Sequence, residues 1–168
     1  VSTLRRLLEA EAVKRAIVFT RTKHGANRLV KDLTRAGFRA EAIHGNKSQA
    51  ARQRALAAFK SAKPPVLVAT DVAARGIDVD RITHVINFDL PVEVETYTHR
   101  IGRTGRAGEA GIAISFCTPE EHSQLRIIQR TLKRQLRVIR EEAPAASDSE
   151  QGDSASDAHG DRAMAGSA

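Results

Sequence analysis

Two short runs, Ala16-Ile-Val-Phe19 and Val66-Leu-Val-Ala69, are apolar at every position. A strand with one wet face alternates apolar and polar residues, whereas a strand covered on both faces does not. These runs therefore read as strands of a buried parallel sheet. Parallel neighbours need a crossover, usually a helix, and stretches at helical spacing lie around the runs. Residues 2–12 place Leu4, Leu7 and Leu8 on one face. Residues 24–36 end at Gly37, and residues 48–59 begin at Ser48, a residue type that caps helix starts. Further strands are expected over 38–43, 83–88 and 111–117, with the first strand reaching Thr20. Helices are expected over 93–100, behind Pro91, and over 119–136. Residues 70–76, rich in small side chains, read as a loop. The alternation predicts an α/β fold, a parallel sheet of five or more strands with helices on both faces.

Charge is uneven along the chain. The total is +7, but residues 143–168 hold five acids against the single base Arg162, so residues 1–142 carry +11. A body this basic suits a polyanionic partner, and equally suits a surface kept soluble by lysine and arginine. From Ala143 the composition turns to Ala, Ser, Asp and Gly without apolar periodicity. The expected organisation is therefore one domain over 1–142 and an acidic, disordered tail over 143–168. The tail reads as a solvated tether or as an electrostatic competitor for the basic face. No apolar run approaches the length of a membrane span, no secretory leader is expected, and the start at Val1 suggests a piece of a longer chain. Cys117, the only cysteine, admits no internal disulfide and reads as core packing. A cytoplasmic location is the expectation.

Ligands of open parallel sheets bind beyond the carboxyl ends of the strands, and polar residues collect there. The first strand ends in Thr20-Arg21-Thr22, the second in His44-Gly45-Asn46, and the third in Thr70-Asp71, followed by Arg75-Gly76-Ile77-Asp78. Before the last strand comes His99-Arg-Ile-Gly-Arg-Thr-Gly-Arg-Ala-Gly108, with three arginines and three glycines in ten residues. Glycine allows close backbone approach, and the guanidinium fork matches phosphate oxygens. The four loops are expected to border one surface and to meet a phosphate-rich ligand.

Several chemistries are excluded or disfavoured. No G-x-x-x-x-G-K-[ST] occurs, so Thr70-Asp71 does not read as a Walker B partner to a P-loop. The glycines at 102, 105 and 108 do not form a dinucleotide fingerprint. The six histidines show no metal-ligand spacing, so no metal site is expected. Aromatic residues are 4% of the chain with no Trp, which disfavours base stacking as a mode of recognition.

With the loops in view, the chain resembles the C-terminal RecA-like lobe of DEAD-box RNA helicases over about residues 2–139. Val18-Phe-Thr-Arg-Thr-Lys23 is similar to motif IV, and His44-Gly-Asn46 with Gln49 and Arg52 to motif IVa. Ala69-Thr-Asp-Val-Ala-Ala-Arg-Gly-Ile-Asp78 is similar to motif V, and His99 to Arg106 to motif VI. His99, where DEAH relatives usually have Gln, favours the DEAD-box branch. The resemblance implies that Arg103 and Arg106 are arginine fingers on the ATP γ-phosphate. It implies that Asp78, with Gly76, contributes to ATP binding, and that His99 and Arg100 couple the lobes. Thr20, Arg21, Gly45, Asn46, Gln49, Arg52, Thr70, Asp71 and Gly76 would then form the RNA-backbone surface. The implied cofactors are ATP and Mg²⁺, with Mg²⁺ held by an N-terminal lobe that this sequence lacks. The implied partners are RNA and that lobe, and ATPase activity is not expected from this chain alone. The alternative is a stand-alone RNA-binding or regulatory module without motor activity.

Overall fold

A computed structural model describes residues 1–10, 13–106, 108 and 110–139. Val1–Leu136 forms one compact unit, and a second unit begins at Arg137. The expected tail, residues 143–168, lies outside the described residues, as do the last two residues of the expected first helix.

The first unit alternates helix and strand. The helices are α1 (Ser2–Ala10), α2 (Lys23–Arg35), α3 (Gln49–Lys60), α4 (Asp71–Ala74), α5 (Val94–Ile101) and α6 (His122–Leu132). The strands are β1 (Ala16–Phe19), β2 (Ala40–Ile43), β3 (Val66–Ala69), β4 (His84–Asn87) and β5 (Ile112–Ser115). All four pairings are parallel and the order is β2-β3-β1-β4-β5. β1 lies at the centre, with Ile17 opposite Leu67 on one side and Val85 on the other. That position explains its uniform apolarity, since all four of its residues are buried. β5 is an edge, and Ile112 and Ala113 are exposed there.

Side chains alternate between the two faces. Ile17, Phe19, Leu67, Ala69 and Val85 pack under Ala55 and Phe59 of α3 and under Ala73 to Ile82. Val18, Val68 and Ile86 pack on the other face against Leu4 of α1 and Ala26, Leu29 and Leu33 of α2. α5 and α6 join through Leu90, Tyr97 and Ile128. Hydroxyl caps set two helix starts. Thr22 accepts from the Gly25 N–H at 3.0 Å, and Ser48 from the Ala51 N–H at 3.2 Å.

Two elements depart from expectation. The small-residue stretch after β3 contains a one-turn helix, α4. The last helix stops at Leu132 because Lys133 adopts φ +50°, and its backbone N–H turns back onto the Arg130 carbonyl. Among the described residues, no helix is long and apolar enough to cross a membrane.

Candidate functional site

Because every strand is parallel, the chain leaves β1, β2 and β3 at one carboxyl edge, at Thr20, His44 and Thr70. Gly45 and Asn46 are exposed there, and Gln49 and Arg52 begin α3 three residues apart, on one face. His44 beneath them is buried. Its Nδ1 accepts from the Asn46 N–H at 3.3 Å, which puts the ring proton on Nε2, donated to Asn27 Oδ1 at 2.9 Å. Burial, then Lys47, Lys23 and His24, lower its pKa. The neutral ring thus shapes the loop that presents Gly45 and Asn46.

Thr20 is buried, and its hydroxyl donates to the Thr22 carbonyl at 3.2 Å, so it supports this surface from below. Arg21 is committed within the lobe: its Nη2 donates to the Leu90 carbonyl and to Glu121, both at 3.0 Å. Its backbone N–H donates to Asp89 Oδ2 at 2.8 Å.

Arg100, expected to couple the lobes, is turned into the interior of this one. It is 2% exposed and lies 5.0 Å from the Phe19 ring centroid. Nε donates to Asp71 Oδ1 at 2.6 Å and Nη2 to Asp71 Oδ2 at 2.8 Å. Nη1 donates to Asn87 Oδ1 at 3.2 Å and to the Asp89 carbonyl at 2.7 Å. Helical side chains lean toward the N-terminus of their helix, so Arg100, late in α5, reaches back to the carboxyl ends of β3 and β4. A guanidinium so enclosed is not presented to a second lobe, and both Asp71 oxygens are occupied by it. His99 next to it is exposed, 3.8 Å from Glu95. Sequence reasoning missed Asn87 and Asp89, since an Asn ending an apolar strand and an Asp after it carry no distinctive pattern.

The Arg/Gly loop is not at the carboxyl edge, which corrects the expectation of one surface bordered by four loops. After α5 the chain has crossed toward the start of β5, and the loop rests on the segment that enters β4. Thr104 Oγ1 donates to the Ile82 carbonyl, and Arg103 Nη1 donates to the Ile77 carbonyl at 3.2 Å. A Cβ on Gly111 would overlap the Thr104 side chain and the Gly105 backbone nitrogen, so glycine lets the loop lie flat on the chain entering β5. Gly105 itself has φ +66°. Burial and the neighbouring Arg106 lower the Arg103 pKa, and a guanidinium still keeps its charge. Arg106 is exposed, with Nε donating to the Gly102 carbonyl at 2.5 Å.

Two clusters result. One is the carboxyl edge, with Gly45, Asn46, Gln49, Arg52 and Thr70. The other is a notch between residues 79–82 and the loop 103–106, enclosing about 10 Å³. That is about the volume of one water probe, so a nucleotide can be enclosed there only if a second surface covers it. Asp78 is exposed beside the notch, and Gly76, at φ +82°, turns the chain between the clusters. Among the described residues, no group of three or more His, Cys, Asp or Glu could hold a metal. Cys117 is half-buried, and burial raises its pKa.

Comparison with known proteins agrees with this architecture. Residues 1–108 match the helicase conserved C-terminal domain. The chain is 52% identical over 139 residues to the DEAD-box ATP-dependent RNA helicase CshA of Bacillus subtilis, covering 83% of this chain and 28% of that protein. Among solved structures it is similar to the E. coli DEAD-box protein SrmB in complex with regulator of ribonuclease activity A, with TM-score 0.78 and 38% identity. That match covers 86% of this chain and 89% of the other. It is also similar to the C-terminal domain of the DEAD-box protein Dbp5, with TM-score 0.71, 36% identity and coverage of 78% and 77%. The chain belongs to the helicase conserved C-terminal domain family, as the C-terminal RecA-like lobe of a DEAD-box protein.

Proposed function

We propose that this lobe supplies half of the ATPase site and part of the RNA track of an ATP-dependent RNA helicase, and is inactive as an ATPase without an N-terminal lobe. The observation that carries this reading is the notch at Arg103. Arg81, Arg103 and Arg106 line a space too small to enclose a nucleotide, with Asp78 exposed just before it, on a chain that spans 28% of the length of the CshA relative. ATP would be held between lobes, with Asp78 on the ribose and Arg103 and Arg106 on the γ-phosphate, where charge grows in the transition state. Mg²⁺ would be held by the other lobe. His99, exposed near the end of α5, would touch that lobe.

The carboxyl edge would hold RNA by its sugar-phosphate backbone through Gly45, Asn46, Gln49, Arg52, Thr70 and Gly76. Such contacts carry no base sequence. Thr20, Arg21 and Asp71 would act on RNA by shaping that edge, since their side chains are buried or engaged within the lobe. A cytoplasmic location belongs to the same proposal.

The test is Arg103→Ala in the protein that joins this chain to its N-terminal lobe. ATP turnover should fall by roughly 10³-fold or more while nucleotide affinity changes far less. Near-native turnover would reject the finger assignment.

A further inference from the structure

α6 carries a basic cleft that the proposed motor chemistry does not use. Arg126, Arg130, Lys133 and Arg134 are all exposed. Arg126 and Arg130, four residues apart, share a face of α6, and Lys133 and Arg134 follow in the turn that ends the helix. With Gln129 and Gln135 they line an open cleft of about 420 Å³. The other side of the helix, through Leu125, Ile128 and Leu132, is packed on Leu90 and Tyr97.

The cleft is made by the left-handed turn at Lys133, a conformation rare without glycine. The turn brings the Arg134 N–H onto the Gln129 carbonyl at 3.2 Å and folds Arg134 and Gln135 back beside the last helical turn. None of the four cations is in an ion pair among the described residues. Cations near a helix C-terminus are favoured by its dipole, which accounts for Arg130 and Lys133. It does not account for Arg126, in the second turn, where its i,i+4 neighbour Arg130 is a like charge and mildly repulsive. An anion placed among the four would relieve that repulsion.

The cleft leads away from the candidate RNA edge, with Arg126 about 6 Å and Arg130 about 12 Å along α6 from its start. The start of α6 is fixed at that edge, with Glu121 on Arg21 at 3.0 Å and Gln124 Nε2 on the Val92 carbonyl at 2.5 Å. The 11 residues of α6 then carry the chain about 16 Å along the helix axis.

We infer that this cleft is a second phosphate-binding site, taking the backbone of an RNA strand that extends beyond the carboxyl edge. Guanidinium forks match phosphate pairs, and the two glutamine amides add donors without base selectivity. The choice of RNA as the polyanion rests on the proposed function above.

The test uses Arg126→Gln with Arg130→Gln in the two-lobe protein, binding single-stranded RNAs of about five and about fifteen nucleotides, since 16 Å is about five nucleotide rises. Lys31→Gln with Lys63→Gln is the charge-matched control, and thermal unfolding checks that each variant folds. The longer RNA should bind the double variant more weakly, with a salt slope lower by about 1.4 for two lost contacts, while the short RNA binds as before. Unchanged binding of the longer RNA, or an equal loss in the control, overturns the cleft and leaves the motor reading intact. If the native protein binds neither RNA, both fall together.

Discussion

Arg100 and Asp71 meet through two parallel hydrogen bonds of 2.6 and 2.8 Å, joining α5 to α4. The pair ties the segment that begins at Thr70 to the helix that ends in the Arg/Gly loop. Three residues beyond Arg100, Arg103 holds the Ile77 carbonyl. The two candidate clusters, one for RNA and one for nucleotide, are therefore ends of one clasped pair of segments. Arg100 would hold them in register without touching either ligand.

Breaking this pair should be expensive. Removing one partner of a buried ion pair costs about 3–5 kcal/mol, and the partial exposure of Asp71, at 32% of its side chain, puts the expected loss for Arg100→Ala near the lower figure. Arg100→Lys should recover little, because an ammonium cannot span both carboxylate oxygens. Denaturant unfolding of the four proteins of an Arg100→Ala, Asp71→Ala cycle should give a coupling above about 1 kcal/mol. Additive losses would show that the two side chains act independently.

Gly111→Ala should disturb the Arg/Gly loop from outside it. The added Cβ would collide with Thr104 and with the Gly105 backbone, and overpacking of this kind costs about 1–3 kcal/mol. Gly45→Ala, whose Cβ would meet nothing within 4 Å, should change stability much less. Equal melting temperatures for the two variants would mean that the loop does not lie on the chain entering β5.

His44 should make stability pH-dependent. Its pKa in the fold is below 6.5, so as pH falls through about 6.5 the unfolded chain takes up a proton that the fold refuses. Stability is fully present above that value, declines below it, and levels off once the folded ring also protonates. His44→Gln should flatten the part of the stability profile that this residue supplies below about pH 6.5. A slope unchanged in the variant would assign the dependence to other groups.

Much of the sheet was readable in the sequence because burial on both faces removes alternation. β1 and β3 announced themselves by four consecutive apolar residues each. Thr20, Gly45, Asn46 and Thr70 followed from parallel topology, whereas Gln49 and Arg52 came only from the resemblance to motif IVa. α4 was not readable, since Val72-Ala-Ala74 is one turn long and too short for a period. The end of α6 was not readable either, because Lys133 enters the left-handed region without the glycine that usually marks it. The inward turn of Arg100 was not readable for a different reason. A repeat of arginines at every third residue says nothing about which one the fold turns inward, and Phe19, Asn87 and Asp71, which enclose Arg100, lie on three other elements.

On the proposed function, this lobe holds half of an ATPase site. The direct measurement is RNA-stimulated ATP hydrolysis by this chain alone, by the N-terminal lobe alone, and by the two joined in one polypeptide. Turnover only in the joined protein is the predicted result. Turnover by this chain alone, or none in any of the three, would contradict a cleft shared between two lobes.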